Sequence, residues 1–121
     1  YLEHATYSAD RTIAKQLTLT GPQRGNSTEV TGPWTIGATN TTVESIRITL
    51  PGTLTIASDR ATVCDIYEVG DGITVSANDV LLTGLWSADV IFESGTSGGL
   101  VDASTNTTVT DNGSNTVGDV T

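Results

Sequence analysis

An all-β solenoid is the fold class this sequence predicts, and three observations predict it. Thr is the most abundant residue, with twenty-three copies in 121, and its β-branched side chain suits a pleated, half-buried surface. The usual helix formers are scarce, with one Lys, five Glu and no Met, and no stretch holds helical periodicity over ten or more residues. Short apolar runs recur at a spacing near 20 residues, which a solenoid of short strands and polar corners requires.

The candidate strands follow from alternation and from the breakers between them. Ile13 to Thr20 alternates apolar and polar residues until Gly21-Pro22 stops it. Trp34 to Ile36 follows Gly32-Pro33, and Thr42 to Leu50 carries Val43, Ile46 and Ile48 up to Pro51-Gly52. Thr53 to Ala57 turns Leu54 and Ile56 to one side, and Thr62 to Val69 ends at Gly70-Asp71-Gly72. Gly72 to Ser76, Val80 to Trp86 and Val90 to Glu93 come next, before the glycine-rich break at Gly95 to Gly99. Leu100 to Val101 and Thr107 to Thr110 are the last, closed by Asp111-Asn112-Gly113.

These runs echo one another. Val43-Glu44-Ser45-Ile46 returns as Val63-Cys64-Asp65-Ile66, as Leu82-Thr83-Gly84-Leu85, and more weakly as Val109-Thr110-Asp111-Asn112, in steps of 20, 19 and 27. Small polar lead-ins precede them at Ala38-Thr39-Asn40, Ala57-Ser58-Asp59, Ser76-Ala77-Asn78 and Ala103 to Asn106. Each coil would circle the axis once, bury its apolar residues and pair its backbone with the coils on either side. The long last step implies an extra loop near Gly95 to Gly99. An antiparallel β-sandwich is the alternative, because its strands are spaced similarly.

Charge narrows the partners. Five basic against fourteen acidic residues give a net charge of −9, which disfavours nucleic acid and anionic membranes. Acidity of this kind is expected to serve solubility or tolerance of high salt. The single Cys64 excludes an intrachain disulfide, and beside Val63 and Ile66 it is expected to be a small buried apolar side chain. The opening Tyr1-Leu2-Glu3-His4 resembles neither a signal peptide nor a translation start, so the chain is expected to be a mature or excised piece. Residues 1–121 are read as one solenoid domain.

At the level of coil geometry, His4 to Pro22 resembles the opening of right-handed parallel β-helix proteins of the pectate-lyase-like superfamily. The matching features are a Tyr7 turn, a strand, a Lys15 corner and Leu17-Thr18-Leu19-Thr20-Gly21. Thr35 to Thr49, with Asn40 before Val43-Glu44-Ser45-Ile46, is similar to that family's next coil. The resemblance implies a right-handed, single-stranded parallel β-helix, here of about six coils. It extends from residue 4 to about 117. Two departures stand out: few residues precede the Tyr7 coil where members carry a cap, and no capping element is evident before Thr121. That leads to the expectation of a longer polypeptide or of ends covered by neighbouring subunits.

Chemistry is sparse. The resemblance implies glycan cleavage by clustered carboxylates, but the family's Gly-His-Gly and paired Asp signatures do not occur. No catalytic residue, metal-ligand spacing or cofactor motif is assembled. Asp59 and Asp79 would sit at similar corners one coil apart and are the weak calcium candidates. His4, the only imidazole, is read as a surface residue. Asn26, Asn40, Asn106 and Asn112 lie in Asn-x-Ser/Thr sequons and are the glycosylation candidates. Trp34, Tyr67 and Trp86 fall on different coils and are candidates for a sugar platform or subunit contact if they face outward. Thr-x-Thr pairs at Thr18/Thr20 and Thr53/Thr55 raise ice binding, yet in the sequence they do not recur at one register.

The expected function is therefore a non-catalytic structural protein of a repetitive virion or extracellular assembly, such as a decoration, cement or spike component. Its partner would be itself or another coat or surface protein, with glycan as a further ligand, and without nucleic acid or membrane insertion. The alternatives are a fragment of a carbohydrate-binding or polysaccharide-degrading β-helix, and a filament or surface-layer subunit.

Overall fold

The fold is a parallel β-solenoid of about five turns, seen in a computed structural model that describes residues 6–8, 11–21, 29–49, 52–68 and 71–121. Each turn has three sides. The first face stacks β1 (Thr6–Ser8), β4 (Glu29–Thr31), β7 (Arg47–Thr49) and β10 (Tyr67–Glu68), and single bridges at Trp86 and Thr105 continue it. The second face stacks β2 (Arg11–Ile13), β5 (Trp34–Ile36), β8 (Thr53–Ile56), β11 (Gly72–Val75), β13 (Asp89–Phe92) and β15 (Thr108–Asp111). The third stacks β3 (Thr18–Thr20), β6 (Thr42–Glu44), β9 (Thr62–Cys64), β12 (Leu81–Thr83), β14 (Ser97–Asp102) and β16 (Ser114–Val117). All pairings among them are parallel, which rules out the antiparallel sandwich.

Strands this short hold together because each turn sends one or two apolar residues to the axis and its neighbours do the same in register. Ile13, Ile36, Ile56, Val75 and Phe92 form one buried column of the second face, and Val43, Val63, Leu82 and Val101 form that of the third. Val30 and Ile48 do this for the first. Burying one such side chain contributes roughly 1.5–3 kcal/mol. The strict alternation then leaves every second residue outward.

The corners explain why long apolar runs in the sequence are not long strands. Asn40, Arg60, Asp79 and Gly98 stack at the corner between the second and third faces, with φ of 57°, 60°, 56° and 71°. Ser45, Asp65, Gly84 and Ala103 occupy the next corner, between the third and first faces, with φ of 60°, 53°, 65° and 48°. A left-handed residue swings the chain onto a new face, at roughly 1–2 kcal/mol for a residue with a Cβ. Hence the expected runs Thr42 to Leu50 and Thr62 to Val69 are each two strands around a corner, at Ser45 and Asp65. Ile13 to Thr20 divides likewise into β2 and β3.

Two expectations are corrected. About five turns stand where about six coils were expected, with six strands on each of the second and third faces. The 27-residue step is also absent, because Leu82 pairs with Val101, 19 residues on, whereas Val109 belongs to the second face. Gly95 to Gly99 holds a smaller insertion than expected: Phe92 to Gly98 takes six positions where Val75 to Asp79 takes four, after which Ser97 to Gly99 begin β14, Gly98 takes the corner position of Asp79, and Thr96 is buried. The glycines hid that strand by removing the apolar alternation that marks the others.

Candidate functional site

Register on the first face places four large outward side chains in one column. Glu29 aligns with Arg47, Arg47 with Tyr67, and Tyr67 with Trp86. Neighbouring strands lie about 4.8 Å apart, so long side chains in such a column meet. Glu29 Oε1 is 3.6 Å from an Arg47 Nη1, and the guanidinium carbon lies 5.0 Å from the Tyr67 ring centre. Tyr67 and Trp86 follow with centroids 6.1 Å apart and planes inclined by 49°. The column thus runs carboxylate, guanidinium, phenol and indole along one face.

Its physical character suits contact. Trp86 is 44% exposed, the large apolar surface at the end of the column. Arg47 brings a positive charge to an acidic chain, and its ion pair and ring contact hold it in place. Its Nε is buried without a hydrogen-bond partner, which leaves a donor unspent beside the phenol. The arrangement offers ring faces for stacking and a fixed guanidinium for an acceptor.

Of the three aromatic candidates, the structure brings Tyr67 and Trp86 together and separates Trp34. Trp34 is 9% exposed and stands on an inward position of β5, in register with Leu54. It is core, so its place in a sugar platform or contact surface is corrected. Alternation around Trp34-Thr35-Ile36 turns both end residues inward. Sequence reasoning missed Glu29 and Arg47, since only the register relates residues 18 and 20 positions apart.

The acidic candidates do other work. Asp59 and Asp79 share a corner but not a position: Asp79 stacks on Arg60, whereas Asp59 lies level with Asn78. The Asp59 carboxylate accepts the Asn78 N–H at 2.8 Å, and the Asn78 carboxamide oxygen accepts the Ser97 N–H at 2.9 Å. This ladder satisfies backbone donors at the bend. Among the described residues no three His, Cys, Asp or Glu side chains gather as metal ligands would.

Cys64 also departs from expectation. It stands on the outward side of β9, half-buried, and its Sγ donates to Glu44 Oε2 at 3.5 Å. Burial first, then that hydrogen bond and the charges of Glu44 and Asp65, push the thiol from 9.0 up to about 11. Such a thiol is a poor nucleophile at neutral pH.

The sequons at Asn40, Asn106 and Asn112 fall on exposed residues, while Asn26 and His4 lie outside the described residues. Asn40 Oδ1 accepts from Arg60 Nε at 2.9 Å, and Asn106 Nδ2 donates to Ser87 Oγ at 3.0 Å. Comparison with family models, curated proteins and solved structures finds no match to the chain.

Proposed function

We propose that this chain is a non-catalytic structural component of a repetitive extracellular or virion assembly, of the decoration, cement or spike kind. It meets a neighbouring copy or coat protein through the Glu29–Arg47–Tyr67–Trp86 column. The observation that carries the reading is that column: Trp, Tyr and Arg are the side chains that anchor protein contacts, and here they stand side by side on a rigid face. Supporting it, several described carboxylates are engaged in the backbone, as with Asp59 on the Asn78 N–H and Asp71 on the Gly52 N–H at 3.2 Å.

A second reading keeps the column and changes the ligand. The Tyr67–Trp86 pair would stack a sugar ring, as a glycan-binding piece of a larger β-helix would. Light scattering at dilute concentration separates the two. The contact reading predicts an oligomer that Trp86→Ala reduces to the monomer. A strict monomer whose Trp86 fluorescence answers to soluble oligosaccharides would favour the glycan reading, and a strict monomer with neither response would overturn both.

A further inference from the structure

The second face carries a feature that the column on the first does not explain. Its central outward position is Thr in five turns: Thr12, Thr35, Thr55, Thr74 and, past Ile91, Thr110. The sequence conceals this column because its members are 23, 20, 19 and 36 residues apart and only two stand in a Thr-x-Thr pair. Register, and not the pair motif, aligns them.

Three properties combine on this face, of which the second distinguishes it from the third face, where Thr18, Thr42 and Thr62 also stand in register but beside Glu44. First, it is regular: β5, β8 and β11 pair in unbroken parallel register, so the Thr side chains repeat at about 4.8 Å across the strands and outward ranks along each strand at about 6.7 Å. Second, it carries no charge over those three turns, although the chain has fourteen acidic residues. Flanking outward positions over those turns are Thr53 and Gly72 on one side and Gly37, Ala57 and Ser76 on the other, and among the described residues charge returns with Asp71 at the border and with Asp89 and Glu93 beside Ile91. Third, its hydroxyls are unspent. Thr20, Thr41, Thr49, Thr96 and Thr107 donate to main-chain carbonyls, whereas among the described residues no protein hydrogen bond engages the hydroxyls of Thr35, Thr55 and Thr74.

We propose that this face binds ice. A Thr side chain presents one methyl and one hydroxyl at a χ1 that β-branching restricts, so the column is a fixed row of apolar points and hydrogen-bonding oxygens. The column's repeat of about 4.8 Å lies close to a spacing at which water oxygens recur on prism faces of hexagonal ice. A crystal of water is the occupant that rewards translational repetition, and it carries no net charge, as this face carries none over its three central turns. The absence of charge also lets the water layer over the face order without competing ion hydration. The inference does not depend on the first-face column.

Ice-affinity partition tests it on the whole chain. A slowly grown ice front should take up the protein well above the level of a non-binding reference, and crystals in its presence should be faceted. Thr55→Tyr combined with Thr74→Tyr should bring uptake down to the reference level, with an unchanged far-UV spectrum and melting temperature. Thr62→Tyr, outward on the third face, and Trp86→Ala should retain full uptake. Uptake no higher than the reference for the unaltered chain overturns the proposal, as does equal loss in Thr62→Tyr. Self-association abolished by Thr55→Tyr, without uptake by ice, would assign the face to a second copy and overturn it as well.

Discussion

The first and second faces of this solenoid share one backbone and differ in almost everything they show to solvent. On the first, consecutive turns present Glu29, Arg47, Tyr67 and Trp86, all different and mostly large. On the second they present Thr35, Thr55 and Thr74, all alike. The contrast teaches that the buried columns and the corners carry this fold, because both faces rest on the same kind of buried column while their outer ranks differ. Heterogeneity on one face suits recognition of a specific partner, and uniformity on the other suits a repeating one.

The largest expected effect removes what both faces share. Phe92 is the largest of the fully buried side chains, so Phe92→Ala should cost about 3–5 kcal/mol by urea denaturation. Both outer surfaces should be lost together. A loss confined to one face would mean that the faces fold independently.

Next comes a change that strikes the second face first. Gly72 opens β11 with φ of 101°, and an added Cβ would lie 2.7 Å from the Asp89 carbonyl oxygen. Gly72→Ala should therefore cost about 1–3 kcal/mol in melting experiments, with hydrogen-exchange protection falling in β11 and β13 before β7 and β9. Smaller still is the corner ladder. Asp59→Ala removes the acceptor of the Asn78 N–H and should cost about 1 kcal/mol, whereas Asp59→Asn keeps an acceptor and should cost less.

Trp86→Ala sharpens the comparison from the other side. With 44% of the residue exposed, its stability cost should be about 0.5–1.5 kcal/mol, the size of an aromatic pair, yet association should be lost. The least effect on stability belongs to Cys64. The folded state holds the thiol protonated up to about pH 11 instead of 9.0, so it binds the proton more tightly than the unfolded chain. Its contribution is complete below pH 9.0 and falls as pH rises towards about 11. Thiol alkylation followed against pH should show the shift, and Glu44→Gln should lower it.

Much of this architecture was legible before the structure. The echoes at Val43, Val63 and Leu82 do lie on one face in register, and the breakers do mark corners. What escaped reading were elements whose strand character comes from neighbours and not from their own residues. Ser97 to Asp102 begins with glycines, and Ser114–Val117 holds a single large apolar residue at Val117. Both are strands because the turn before them offers a paired edge. The candidate site was half legible: Tyr67 and Trp86 are conspicuous as residue types, but only three-dimensional register adds Arg47 and Glu29 and removes Trp34. The Thr column was invisible for the same reason, since turns of unequal length carry its members out of any fixed sequence period.

The central claim is that the first-face column is the surface through which this protein meets its partner. The two tryptophans allow a direct test, because Trp34 is buried and Trp86 is exposed. Acrylamide quenching should be followed across a dilution series while light scattering records the state of association. The account predicts a quencher-accessible tryptophan in the dilute chain that becomes protected as copies associate. Association that leaves Trp86 as accessible as in the monomer would contradict it and place the contact on another face.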